Sequence, residues 1–136
     1  YHTIAQENAS IEMEARISGY ASDEIKITET SELVGKDSKA VLKSRVAVRD
    51  QAHAEVFNTI TARGENSRGH VDCTEILQDQ GIVKAYPNVD VSHPKAHVTH
   101  EASLGGVDNK QLETLMARGL SEDEAEEIII RGLLNG

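Results

Sequence analysis

Ser10-Ile-Glu-Met-Glu-Ala-Arg-Ile-Ser-Gly19 alternates without a break: Ile11, Met13, Ala15 and Ile17 fall on one parity, Glu12, Glu14 and Arg16 on the other. A period of two is the signature of a half-buried β-strand, because successive side chains leave opposite faces of the pleat. The pattern then recurs. Ile25 and Ile27 repeat it between charges, followed by Val41, Leu42, Val46 and Val48, by Val56, Phe57 and Ile60, by Val71, Ile76 and Leu77, by Ile82 and Val83, and by Val89, Val91 and Val98. Turn clusters separate the runs: Ser18-Gly19, Val34-Gly-Lys-Asp-Ser38, Arg49-Asp-Gln51, Arg63-Gly-Glu-Asn-Ser-Arg-Gly69 and Asp79-Gln-Gly81. Pro94 cannot donate to a ladder, so it marks a strand end or bend between Val89 and Val98. No helical period intervenes from Ser10 to Ala102, and no strict short repeat appears either. Two architectures fit: an antiparallel sandwich, or a β-solenoid with coils of irregular length.

The bulk composition points the same way. The chain has 136 residues, no Trp, and only Phe57, Tyr1, Tyr20 and Tyr86 as aromatics, so its core is built from Val, Ile, Leu and Ala. Small and β-branched side chains stacked in layers suit a repetitive β architecture. A net charge of -9 argues against a nucleic-acid binder and against docking on anionic membranes. No apolar run approaches the roughly 20 residues that span a bilayer, and the first residues lack the features of a signal peptide. A single cysteine forbids an internal disulfide and fits a reducing, cytoplasmic setting. The absence of an initiating Met and of any opening cap or turn suggests a fragment of a longer polypeptide.

The tail changes period. Asp108 or Asn109 caps a predicted helix running through Arg118, with Leu112, Leu115 and Met116 on one face and Gly119 as terminator. Ser121-Glu-Asp-Glu124 reads as a capping box opening a second helix, whose apolar stripe is Ala125, Ile128, Ile129 and Leu133. The acids from Glu122 to Glu127 read as a solvated helix start favoured by the dipole. The chain therefore divides into a β core over 1–104 and a helical segment over 105–136.

Chemistry-bearing residues are few. Cys73 is a soft ligand for iron or a persulfide carrier, provided that it is accessible and its pKa is depressed; otherwise it is a small buried hydrophobe. His93, His97 and His100 crowd one stretch with Glu101. Parity lets His93 and His97 share a face only if Pro94 keeps the register, and sends His100 and Glu101 to opposite faces, so one site using all four is not expected. His70 and Asp72 lie on the parity opposite Cys73. Gly105-Gly106 before a helix is explained by a strand-to-helix turn.

Several segments, in this order, resemble the SufB/SufD family of iron–sulfur cluster scaffolds: Gly35-Lys-Asp-Ser-Lys-Ala-Val-Leu-Lys-Ser-Arg45, Ser67-Arg-Gly-His-Val-Asp-Cys-Thr-Glu75, Ala85-Tyr-Pro, Ala96-His-Val-Thr-His-Glu-Ala and Gln111-Leu-Glu-Thr-Leu-Met-Ala-Arg-Gly-Leu. The likeness runs from about Lys36 to Leu134. It implies a right-handed parallel β-helix followed by a small helical segment. It also implies dimerisation through the β-helices, as a homodimer or with another SufB/SufD subunit, and a helical tail that docks a SufC-type ABC ATPase whose ATP-driven dimerisation opens the scaffold. Cys73, His100 and Glu101 match positions implicated in cluster assembly, Cys73 and Glu101 in SufB-like members and His100 in SufD-like ones. Leu112, Leu115, Met116, Ile128 and Ile129 become the expected docking face. The resemblance further implies a scaffold and not an enzyme, a sulfur donor protein as a further partner, and a transient iron–sulfur cluster that this chain alone does not hold stably, since clusters draw on several ligands. Competing readings are a purely structural solenoid, in which Cys73 is dispensable, and a β-helix enzyme, for which the chain offers neither a carboxylate groove nor aromatic sugar platforms.

Overall fold

The computed structural model describes residues 1–135; Gly136, the last residue of the expected helical segment, lies outside them. The strands are β1 (His2–Ala5), β2 (Ser10–Gly19), β3 (Glu24–Leu33), β4 (Lys39–Val48), β5 (His53–Ala62), β6 (Arg68–Leu77), β7 (Ile82–Val91) and β8 (His97–Gly106), followed by the helices α1 (Asn109–Met116) and α2 (Glu122–Leu134). Odd strands form one sheet in the order β1-β3-β5-β7 and even strands the other, β2-β4-β6-β8. Every pairing is parallel. The chain is thus a parallel β-solenoid of about four turns, with the antiparallel sandwich excluded.

The coils are not irregular. Ser10 pairs with Lys39, Lys39 with Arg68, and Arg68 with His97, a constant step of 29 residues. Glu24, His53 and Ile82 keep the same step in the other sheet, and only β1 departs, with His2 beside Thr30. The turns set this length. Asn8, Asp37 and Asn66 occupy one corner with φ of 60°, 57° and 58°, and Ala21, Asp50 and Asp79 the other with φ of 51°, 55° and 55°. Asn and Asp tolerate the left-handed region through local hydrogen bonds. At the second corner these bonds run between coils: the Asp50 carboxylate accepts the Ala21 N–H at 2.7 Å, and that of Asp79 accepts the Asp50 N–H at 3.4 Å. Gly35 and Gly64 recur with the same step because the stacked corners leave no room: a Cβ on Gly35 would meet the backbone of Glu7, and one on Gly64 that of Gly35.

Alternation decides what lies inside. Along β4 and β5 every second residue is buried, and the inward positions fall into two apolar clusters. Leu33, Ala40, Leu42, Ile60, Ala62 and Val71 fill one side of the cross-section; Ile27, Val46, Val48, Ala54 and Val56 fill the other. Between them the inward layer is polar, with Glu29, Ser44 and Asn58 all buried. On the outer face, Phe57 and Tyr86 stack at 4.6 Å, and Arg45 bonds the Asp72 carboxylate at 2.7 Å.

The helical segment folds back on the even sheet. Ser121 and Glu124 form the expected capping box, Asp108 caps α1 through the Gln111 N–H, and Gly119 takes φ of 99° just past α1. The buried stripe of α2 differs from the expected one: Ala125 and Ile129 point inward, but Ile130 replaces Ile128, which is exposed along with Leu133. The reason is that α2 has two neighbours. Ala125 and Ile129 meet Leu112 of α1, while Ile130 meets Ala47 and Ile76 on the sheet. Glu126 is likewise not a solvated acid; it is buried and accepts from the Gln78 side chain at 3.0 Å. Among the described residues no helix is long and apolar enough to cross a membrane.

Candidate functional site

Cys73 sits at the middle of β6, paired with Ser44 on one side and Ala102 on the other. It shares inward parity with Val71, and its side chain is 0% exposed. Its Sγ donates to Asn58 Oδ1 at 3.4 Å, which makes it the last member of the polar layer. Asn58 Nδ2 donates to Glu29 Oε2 at 2.6 Å and to Ser44 Oγ at 2.9 Å, and the Ser44 hydroxyl lies 3.2 Å from Glu29 Oε2. Burial outweighs these bonds at Glu29 and pushes its carboxyl above the usual range.

The environment of the sulfur is the opposite of what nucleophile chemistry asks. Burial, reinforced by the charges of Glu75 and Asp72, pushes the Cys73 thiol up to about 12. In this state it is a thiol and not a thiolate. Access and a depressed pKa, the two conditions set for a ligand or persulfide role, are not met in this closed coil; a thiolate at Cys73 requires the coil to open or a cation to enter.

His100 lies on β8 opposite Val71, on the same inward parity as Cys73 and one coil further along. Because among the described residues β8 has no strand beyond it, this inward side chain is exposed. Glu101 takes the other face, beside Asp72. The structure thus brings Cys73 and His100 to one face and puts Glu101 on the outside. His93 and His97 are separated by the turn at Pro94, with His97 opening β8 and His93 in the corner, so they share no strand face. His70 and Asp72 point outward, bonded to Thr99 and Arg45. Among the described residues no three His, Cys, Asp or Glu side chains are grouped closely enough to hold a metal ion.

Sequence reasoning missed the interior partners of Cys73: Glu29, Ser44, Asn58 and Glu75. A signal was present, since Glu29 continues the parity of Ile25 and Ile27, and Asn58 sits between Val56 and Ile60 with the parity of both. Glu75 is 5% exposed, faces inward between Val46 and Leu104 in its column, and its Oε1 has no hydrogen-bond partner.

Much of the last coil shows the same exposed inward face, although Val83 and Val98 are partly buried against the core. Val89, Val91 and Leu104 hold the parity of core residues yet are exposed, Leu104 by 74%. In the tail, Leu112 and Ile129 are consumed by packing between α1 and α2, Leu115 is half-buried, and Met116 and Ile128 face outward.

A family model for the SUF system FeS cluster assembly SufBD core domain matches residues 1–133. The chain belongs to the SufBD family. It is 42% identical over 131 residues to an iron–sulfur cluster assembly SufBD family protein of Methanocaldococcus jannaschii, covering 96% of this chain and 42% of that one. A SufBD family protein of Pyrococcus horikoshii is 41% identical over 128 residues, covering 94% and 39%, and one of Archaeoglobus fulgidus 31% over 109 residues, covering 75% and 28%. The chain therefore spans about two fifths or less of these SufBD relatives. Within the SufBD fold, the exposed coil and Cys73 lie at the same end of the solenoid.

Proposed function

We propose that this SufBD chain is part of a scaffold on which nascent iron–sulfur clusters are built, at the open end of the solenoid and between two subunits. The observation that supports this most is the unfinished last coil. Val89, Val91 and Leu104 are core-type side chains with nothing stacked on them, which is what an interface looks like when its second half is absent. A second SufBD subunit, identical or not, laid against that end covers the apolar rim and brings its own His100 toward the Cys73 layer of the first. Cys73 and His100 then serve as ligands shared across the interface, and Glu101, on the outer rim of the same strand, joins them from the edge. Iron and sulfide are the cargo. Sulfur arrives from a donor protein, and the chain supplies ligands instead of catalysing a reaction.

The burial of Cys73 gives such a scaffold a need for work from outside. A thiol held near 12 in a closed coil does not load iron until the coil is loosened. A SufC-type ABC ATPase docked on the helical tail suits that task, because α2 is fastened to the sheet through Ile130 on Ala47 and Ile76, and to the rims through Arg49 on Glu127 at 3.6 Å and Arg16 on Asn135 at 2.9 Å. Movement of α2 is thereby felt by β4 and β6, the latter holding Cys73. The docking face is Met116 and Ile128 together with a groove of about 580 Å³ lined by Leu115, Gln111 and Thr114.

Anaerobic reconstitution with iron and sulfide tests the site. Wild-type protein with its ATPase partner is expected to assemble a cluster and Cys73→Ala to lose it; equal assembly by both would remove Cys73 from the function. Retention of an ATPase on co-purification tests the tail, with Met116→Asp and Ile128→Asp expected to release it.

A further inference from the structure

Among the described residues two buried side-chain oxygens lack a hydrogen-bond partner: Ser67 Oγ, in the corner just before β6, and Glu75 Oε1, the one of the two on a strand's inward face. The apolar columns fill the two clusters, and the polar layer satisfies itself. Glu75 does neither. Its column reads Val46, Glu75, Leu104, so a Val or Leu there would simply continue the packing. It is instead a carboxyl, 5% exposed, whose Oε1 has no hydrogen-bond partner. Folding gives no reason for an orphaned acid in an apolar column; such a group in an otherwise consistent structure points to a ligand.

The location supplies the ligand's identity. Glu75 and Cys73 share the inward face of β6 two residues apart, about 6.6 Å along the strand, so both side chains reach into the same interior beneath the open coil. A carboxylate oxygen with a free lone pair beside a thiolate sulfur is a mixed hard and soft donor pair, which suits ferrous iron better than either magnesium or copper(I). We infer that Glu75 is an iron ligand, donating its free carboxylate oxygen to ferrous iron that Cys73 binds through sulfur. This rests on the scaffold reading of Cys73 and adds to it a residue that completes half of a coordination sphere; sulfide and the second subunit's side chains fill the rest.

The inference sets stability against iron. Replacing an unpartnered buried acid by an apolar group removes a desolvation penalty, so in iron-free protein Glu75→Leu is expected to melt a few degrees above wild type. Glu75→Gln keeps the shape and controls for packing. The intact protein with its ATPase partner, loaded anaerobically with ferrous iron alone, is expected to retain iron about tenfold or more weakly in both variants, and its Mössbauer spectrum to lose an oxygen-ligated component present in wild type. Cys73→Ala serves as the reference. If Cys73→Ala loses iron but Glu75→Leu and Glu75→Gln hold it like wild type, Glu75 is no ligand while the Cys73 site stands. If Cys73→Ala also binds like wild type, the scaffold reading falls and takes the inference with it. A lower melting temperature for both Glu75 variants, with iron retention unchanged, would make Glu75 a structural group and overturn the assignment.

Discussion

Strands β5 and β7 are neighbours in one sheet, ten residues each, and pair residue for residue from His53 beside Ile82 to Ala62 beside Val91. In β5 every second residue is buried; in β7 nearly all are exposed, although Val83, Val89 and Val91 repeat the chemistry of Ala54, Ile60 and Ala62. The strands do not differ in pattern. They differ in having two stacked neighbours or one. In a solenoid, burial belongs to the stack and not to the strand, so an exposed inward face is a statement about a missing neighbour.

That comparison can be broken from either side. The largest effect is expected inside the stack: Ile60→Ala should lower the unfolding free energy by about 2–5 kcal/mol in urea melts, while Val89→Ala, its register partner one coil out, should stay within about 0.5 kcal/mol. Similar losses from the two would mean that the last coil is not open in solution. Next comes the neighbour itself. Leu104→Asp should leave the monomer folded by circular dichroism and weaken self-association or pairing with another SufBD subunit by about tenfold or more, roughly 1.4 kcal/mol, as read by sedimentation. Unchanged assembly would move the interface elsewhere.

A smaller effect separates the polar layer from the apolar clusters. Burial raises the folded-state pKa of Glu29, so its proton is held in the native state over a window where the unfolded chain has released it. The associated stability is full below the ordinary carboxylate pKa and falls as pH rises from there through the raised value. Glu29→Gln should flatten that decline in thermal melts across the weakly acidic range. Some slope remains, because burial raises Glu75 and Glu126 in the same direction; an unchanged slope would show that Glu29 is ionised inside. Smallest is the outer face: Asp72→Asn, which removes the partly buried partner of Arg45, should cost about 1 kcal/mol and shrink in salt.

Much of this was legible beforehand, and the exceptions have causes. The strands, corner positions and capping box follow from alternation, turn residues and Ser121 with Glu124. Parallel pairing does not, since one strand has the same period whichever way its neighbour runs; only the resemblance to SufB and SufD pointed to it. The constant coil stayed hidden because its corners share a backbone angle and not a residue: Asn8, Asp37 and Asn66 fill one column, Ala21, Asp50 and Asp79 the other. At the site, parity rightly sent His100 and Glu101 apart, and it also held the information that Cys73 points inward with Val71. What no pattern in one strand reveals is that Asn58 and Glu29, a coil away, are what Cys73 faces.

The corner bonds from Asp50 to Ala21 and from Asp79 to Asp50 tie each coil to the one before it at a fixed phase. Beyond the first coil, the chain therefore changes length most simply in whole units. Excision of residues 39–67 would carry Arg68 into the place of Lys39 and keep the strand columns aligned, whereas removal of one residue more or fewer would have to be absorbed in a corner, as it is between β1 and β3, or turn the inside out along the next strand. A protein built this way has a quantum of size, 29 residues, and can be lengthened or shortened between its open end and its far end without redesigning either.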